Sequence, residues 1–241
     1  KKKKDGIDYW DKSREKADIT RGISVCFLKG LRVVDPMKDE GIWFTVDTAC
    51  NTSCHGRSWR KNYDMKLAKI GRSQFWQKIV GSKNDWSSWW YKREPHTIEG
   101  LGKSRTEVRG TRLIPIAVCA ENGKTMNGNI KSEEVSEGTT FLFGLDLQRQ
   151  CCIWVDSLKG QIYLQAPCYD PKTKTWEKRD MPIETAQCRG SGLLMFRGDR
   201  FEEVYNFWSR KCREFSELPE EKQERCATDI TKSKRHLQDC F

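Results

Sequence analysis

Between residues 22 and 164 the chain is cut into apolar runs of three to six residues by turn-forming pairs. Runs this short suit strands rather than helices. They fall at residues 23–28, 31–34, 42–46, 113–118, 141–143, 153–155 and 162–164. Asn122-Gly123 is a strong hairpin signal, because Asn and Gly tolerate the positive φ of a tight turn; Lys159-Gly160 is a weaker one. The pattern predicts a mainly β domain with several hairpins. One helix interrupts it: Trp59, Tyr63, Leu67 and Ile70 recur at three- and four-residue intervals, which leaves Arg60, Lys61, Lys66 and Lys69 towards solvent.

The flanks read differently. Residues 1–20 hold only isolated apolar side chains such as Ile7, Tyr9 and Trp10, and are expected to be a charged tail or linker. After Pro167 the expectation is a polar loop and then helix. Asp199 is placed to cap a helix with Glu202 at its third position and an apolar face of Phe201, Val204, Tyr205, Trp208, Cys212 and Phe215, and Pro219 suits the first turn of another. The plan is therefore a tail over 1–20, a β domain over 21–166, and a polar loop with a helical appendage over 167–241. At 241 residues and 37% hydrophobic content, the chain has material for one main core. The absence of an initiator Met predicts a piece of something longer.

The net charge is +10, from 44 Lys and Arg against 34 Asp and Glu. It would favour polyanions by long-range attraction, but because the two signs are interspersed the simpler reading is a solvated surface. The aromatic stretch of Phe75, Trp76, Trp86, Trp89, Trp90 and Tyr91 could stack bases beside Lys92 and Arg93, or pack against a core or a peptide groove. No apolar run reaches the ~20 residues of a membrane helix, and the start lacks a signal peptide, so the expectation is an intracellular protein, cytoplasmic or nuclear, without a membrane partner. The 11 cysteines are odd in number and form no Cys-x-x-Cys pair, which predicts reduced thiols. Cys50, Cys54 and His55 have zinc-binding chemistry but no second pair at suitable spacing, so no metal is expected. Cys54 with His96 lacks any hydrolase signature, and the even spacing of Cys212, Cys226 and Cys240 is broken by Pro219.

The segment Ile42-Trp43-Phe44-Thr45-Val46-Asp47-Thr48-Ala49-Cys50 puts a carboxylate straight after an apolar strand and before small residues. Asp156-Ser157 also follows an apolar run, but leads into the plain turn at Lys159-Gly160. Downstream of Asp47 come Thr97-Ile98-Glu99-Gly100-Leu101-Gly102, with two glycines, and then Val108-Arg109-Gly110. A late apolar strand, Phe141-Leu142-Phe143, then ends in Gly144.

In this order the motifs resemble the retropepsin-like aspartic proteases, in particular those of retrotransposon polyproteins, over residues 21–166. The resemblance implies a retropepsin-like acid-protease β-barrel protomer with one or two short helices. It assigns Asp47, Thr48 and Ala49 to the catalytic loop, Gly100, Leu101 and Gly102 to the substrate-binding flap, and Gly144 to active-site support. Acid–base peptide hydrolysis of this kind needs two carboxylates sharing one proton. A chain with one such Asp must therefore act as a homodimer, cleaving peptide or polyprotein substrates without a cofactor and best on the acidic side of neutrality. The family has Gly where Ala49 stands. Ala49 is tolerable at an ordinary φ and damaging at a positive one. The alternative expectation is a catalytically inactive retropepsin fold serving as a dimerisation or nucleic-acid-binding module.

Overall fold

The computed structural model describes residues 28, 30–80, 86–99, 105–136, 138–170 and 172–217. The fold is mainly β. The strands are β1 (Val33–Val34), β2 (Trp43–Val46), β3 (Cys54–Gly56), β4 (Trp89–Lys92), β5 (His96–Ile98), β6 (Thr106–Cys119), β7 (Thr125–Val135), β8 (Leu142–Phe143), β9 (Ile153–Asp156), β10 (Gln161–Asp170), β11 (Thr175–Pro182), β12 (Thr185–Cys188) and β13 (Leu194–Arg197). The helices are α1 (Arg57–Gly71), α2 (Gln74–Val80), α3 (Leu145–Gln150) and α4 (Phe201–Ser216). Nine strands run in the order β1-β12-β13-β2-β8-β3-β7-β6-β4, with β5 also on β6, and β11-β10-β9 form a second sheet. Among the described residues no helix is long and apolar enough to cross a membrane.

Both expected turns form. Gly123 takes φ +80° between β6 and β7, and its N–H donates to the Ala120 carbonyl at 2.8 Å. Gly160 takes φ +66° between β9 and β10. There Asp156 Oδ1 accepts from the N–H groups of Leu158 and Lys159, both at 3.1 Å, so this carboxylate organises a turn.

The core is centred on Phe44 of β2. Its ring lies 4.8 Å from Phe141, 5.5 Å from Phe196 and 5.6 Å from Trp59, each fully or almost fully buried. Contacts of this kind add to the area term that dominates aromatic burial. Trp59, Tyr63 and Leu67 bring α1 onto this cluster, as their spacing predicts. Two of its basic side chains do not face solvent. Arg60 is held by Glu134 and Asp64, and Lys66 Nζ donates to the carbonyls of Pro36 at 2.9 Å and Gly41 at 3.0 Å. Loop carbonyls over the helix need donors, and these two long side chains supply them.

The region after Pro167 departs from expectation. A boundary at 166 would cut through β10, and the stretch read as polar loop instead forms β11, β12 and β13. β13 pairs antiparallel with β2, and Phe196 is fully buried against Phe44. Residues 175–197 thus complete the core. The helix follows as predicted in α4, with Val204 buried. Asp199 does not cap it: its carboxylate accepts from the Ile42 N–H at 3.1 Å and from Arg197 Nε at 2.7 Å, tying the start of α4 to β2. The tail over 1–20, the helix expected from Pro219, Cys226 and Cys240 lie outside the described residues.

The aromatic stretch divides. Trp76 is buried against Trp86 (4.6 Å) and Tyr205 (5.4 Å), which docks α2 on α4. Trp90 lies under Arg112 at 4.1 Å. Trp89 and Tyr91 remain exposed.

One buried polar group sets an acid limit on this fold. His55 is fully buried, stacked on Phe141, with Nδ1 2.9 Å from Ser132 Oγ and Nε2 4.0 Å from the Glu134 carboxylate. Glu134 is already engaged by Arg112 Nε at 2.6 Å and Arg60 Nε at 3.2 Å. Burial above all, then the two guanidiniums, push the imidazole from its ordinary 6.5 down to about 3. A group lowered in the folded state binds its proton more readily when unfolded, so its contribution is full above pH 6.5 and is lost as pH falls towards 3. Wild-type stability should fall by about 1.4 kcal/mol more per pH unit than that of His55→Gln between pH 6 and 4. Urea unfolding of both at several pH values checks this; parallel slopes would contradict it.

Candidate active site

β8 sits between β2 and β3 in the sheet, parallel to the first and antiparallel to the second. The chain leaves β2 on one side of β8 and enters β3 on the other, so residues 47–53 must cross over the end of β8. At that end β8 gives way to Gly144 and turns into α3. Two crossing segments therefore meet backbone to backbone, and the groups that hold them are polar.

The contacts are dense. Asp47 N–H donates to the Phe143 carbonyl at 3.2 Å, Leu145 N–H to Cys50 O at 2.8 Å, and Asp146 N–H to Asn51 O at 3.3 Å. Ser53 supplies its hydroxyl to Asp146 Oδ1 at 2.6 Å and its N–H to Oδ2 at 3.1 Å, and the same hydroxyl accepts from Gly144 N–H at 2.8 Å. Gln148 Nε2 donates to the carbonyls of Phe143 at 2.9 Å and Asp47 at 3.3 Å. Gly144 is a matter of space rather than φ. A Cβ there would lie 2.7 Å from Cys50 O and 3.0 Å from the Thr52 carbonyl carbon.

Asp47 is partly exposed at the head of this loop, and Oδ1 accepts from Ala49 N–H at 3.0 Å. Its Oδ2 makes no hydrogen bond among the described residues, whereas both oxygens of Asp146 are taken by Ser53. Within one chain, then, this loop presents a single available carboxylate. Thr48 and Ala49 are exposed beside it. Among the described residues the non-glycine positions with positive φ are Cys152 and Lys174, and Ala49 is not one of them. The methyl group therefore imposes no backbone strain on the loop.

Of the residues singled out from sequence, Asp47, Thr48, Ala49 and Gly144 come together. Gly100, Leu101 and Gly102 lie outside the described residues. The strands leading to and from them pair antiparallel as a hairpin stem, His96 with Val108, Thr97 with Glu107 and Ile98 with Thr106. Ser53, Asp146 and Gln148 were not singled out. Their signal was adjacency: Asp146 and Gln148 follow Gly144 at two and four residues, and Ser53 ends the loop that Asp47 begins.

The competing constellations do not assemble. His55 faces Ser132 and Glu134, and no group of three metal-ligating side chains occurs among the described residues. Cys54 is fully buried with its thiol pushed well above the ordinary range, while His96 is exposed with Nε2 3.8 Å from Glu133. No protein-family model matches the chain, and comparisons with curated proteins and with solved structures likewise give no match.

Because Gly144 abuts backbone that cannot yield, Gly144→Ala should destabilise the protein by about 1–3 kcal/mol. Ser53→Ala, which strips Asp146 Oδ1 and Gly144 N–H of one partner, should cost about the same. Denaturant unfolding measures both, and amide exchange across residues 47–53 should rise in each. Unchanged stability and exchange in Gly144→Ala would contradict the crossing described.

Proposed function

We propose that this chain is the protomer of a retropepsin-like aspartic endopeptidase that hydrolyses peptide bonds as a homodimer through paired Asp47 carboxylates. The observation that carries this reading is the loop itself: one free carboxylate on a strand-end loop, oriented by the Ala49 N–H and clamped from below by Gly144 and Asp146. A general acid–base hydrolysis needs a second carboxylate, and Asp146 is committed to Ser53. A second copy of Asp47 across a two-fold axis supplies it.

In that arrangement one carboxylate holds the shared proton and the other is ionised, since two like charges at close range do not ionise together. The ionised member takes a proton from water as the water oxygen bonds to the scissile carbonyl carbon. The protonated member gives its proton to the carbonyl oxygen, and transfer of a proton to the amide nitrogen then releases the amine. On this reading Thr48, exposed beside Asp47, braces one loop against its copy, as the resemblance implies. The ordinary φ of Ala49 supports an active loop, because it removes the strain that a β-carbon would bring at a positive φ. A polyprotein substrate is the class the resemblance implies.

A second reading has its own observation. Trp89 and Tyr91 are exposed on β4, with Lys131 Nζ 3.9 Å from the Tyr91 ring, on a chain of net charge +10. An inactive dimerisation module that binds single-stranded nucleic acid would use such a face.

Purified protein should cleave an unstructured peptide pool at mildly acidic pH, be blocked by a statine-type transition-state analogue, and lose about 10²–10⁴-fold of its activity in Asp47→Asn. Ala49→Gly should leave cleavage within a few-fold of wild type. Cleavage that survives Asp47→Asn would defeat the assignment. An inert wild-type dimer that binds single-stranded nucleic acid in a salt-sensitive manner would favour the second reading.

A further inference from the structure

The two edges of β7 are used unequally. On one side β6 pairs with it from Thr125 to Val135. On the other, β3 pairs only with Glu133, Glu134 and Val135. Residues 125–131 are therefore a free sheet edge among the described residues, and Asn127, Gly128 and Asn129 are exposed on it.

The bonding pattern of β6 fixes what this edge presents. Facing residues of an antiparallel pair alternate between bonded and non-bonded. Pro115, opposite Asn129, has no N–H to give. Ala117, opposite Asn127, donates to Gly198 O and accepts from Arg200 N–H, both at 2.9 Å, on the far side of β6. Both pairs are thus of the non-bonded kind, and the N–H and C=O groups of Asn127 and Asn129 point outwards. Glu133 is in step with them, and its outward N–H donates to Ser53 O at 3.0 Å. What β3 takes up at Glu133 stands open at Asn127, Asn129 and Lys131, as a row of backbone donors and acceptors at two-residue spacing.

A cleft lies on each face of this edge, and Ile116 and residues 127–129 border both. One, of about 630 Å³, is lined by Trp76, Trp86, Trp89, Tyr205 and Trp208, with no charged side chain in its lining. The other, of about 580 Å³, is lined by Met126, Ile130 and Cys151 together with Arg149 and Gln150. Arg149 is exposed and has no ion-pair partner among the described residues. Met126, Gly128 and Ile130 share one face of β7, while Asn127 and Asn129 share the other with Pro115, which lines the aromatic cleft. Gly128 keeps the space between the clefts open, since a Cβ added there would meet nothing within 4 Å.

We propose that the free edge of β7 binds an extended peptide as an added strand, with large apolar side chains in the aromatic cleft and acidic ones beside Arg149. Strand addition draws affinity from main-chain bonds and specificity from pockets for alternate side chains. Consecutive side chains of the added strand fall on opposite faces, so the peptide must alternate apolar and acidic residues. A second copy of β7 fits badly, because pairing about Gly128 would offer only Asn and Gly to clefts lined by Trp and Met. Single-stranded nucleic acid has no backbone N–H row to match the edge. This site stands independently of the protease reading.

The experiment uses the full chain at neutral pH and a fluorescein-labelled, C-amidated heptapeptide, Thr-Glu-Phe-Glu-Leu-Glu-Thr, followed by fluorescence anisotropy and residue-resolved amide exchange. Binding should slow exchange at Asn127, Asn129 and Lys131 by about 10-fold or more and leave Gly128 and Ile130, already bonded to β6, unchanged. The isomer Thr-Phe-Leu-Glu-Glu-Glu-Thr, which breaks the alternation, should bind about 10-fold more weakly. Asn129→Pro removes an outward N–H and no bond to β6, and Pro is tolerated at such an edge, so the variant should fold and lose about 10-fold in affinity. Trp208→Ala and Arg149→Gln, both at exposed side chains, should weaken binding by a similar factor. Equal binding of the two peptides, unchanged exchange at the three outward amides, or full affinity in Asn129→Pro would overturn the proposal. So would protection of these amides by self-association, or by a dT oligonucleotide in place of the peptide. Displacement of the peptide by a statine-type inhibitor would put it at the Asp47 loop and equally defeat the edge site. If the protein cleaves nothing yet the peptide protects the edge, the protease reading fails and this site stands.

Discussion

The crossing of residues 47–53 over the end of β8 is the constraint on which the rest depends. β8 has only two residues, and it is flanked by strands that precede it by about a hundred positions in sequence. Its place is fixed from both sides, through Thr45 and Val46 on β2 and Cys54 on β3. The loop above it cannot be long or slack, because Ser53, Asp146, Gly144 and Gln148 bond it to the first turn of α3. Backbone groups that two crossing segments would leave without water are satisfied by each other and by three side chains. The by-product is a carboxylate at a defined place. Asp47 is held by the groups that close the fold, which ties its position to stability at this point.

The same chain carries an acid limit close to its proposed work. A carboxylate dyad is favoured below neutrality. His55, one strand away on β3, resists protonation because it is buried beside Arg112 and Arg60, and it makes the folded state give way in the same direction of pH. Glu134 stands between these demands, engaged by both guanidiniums and close to His55. Such a buried cluster is weak as a net source of stability, but removing one partner leaves an uncompensated buried charge. His55 thus bounds the folded protein from the acid side, the side on which the activity proposed for paired carboxylates falls.

The parts of the fold legible in the sequence are those where one residue type has one physical use. Asn122-Gly123 marks its hairpin because positive φ is cheap there, and the 59-63-67 spacing marks α1 because a helix repeats every 3.6 residues. β7 was not legible: Asn127, Gly128, Asn129, Lys131, Glu133 and Glu134 are polar, and it is a strand because β6 and β3 pair with it. β11 to β13 were hidden for a related reason. Met181, Ile183, Ala186, Cys188 and Phe196 are spread too thinly to form a run, and it is their meeting with β2 and β10 that buries them. At the site, Asp47 and Gly144 stood out by position. Ser53 and Asp146 did not, since a Ser and an Asp some ninety residues apart acquire their role only when the chain crosses itself.

The central claim is that two copies of Asp47 face one another. A crystal structure of the dimer with a statine-type inhibitor tests it most directly. The account predicts one inhibitor per dimer, its hydroxyl seated between the two Asp47 carboxylates within hydrogen-bond distance of both, with each Ala49 N–H still donating to its own Asp47. A dimer whose Asp47 side chains point apart, or an inhibitor bound away from both, would contradict it.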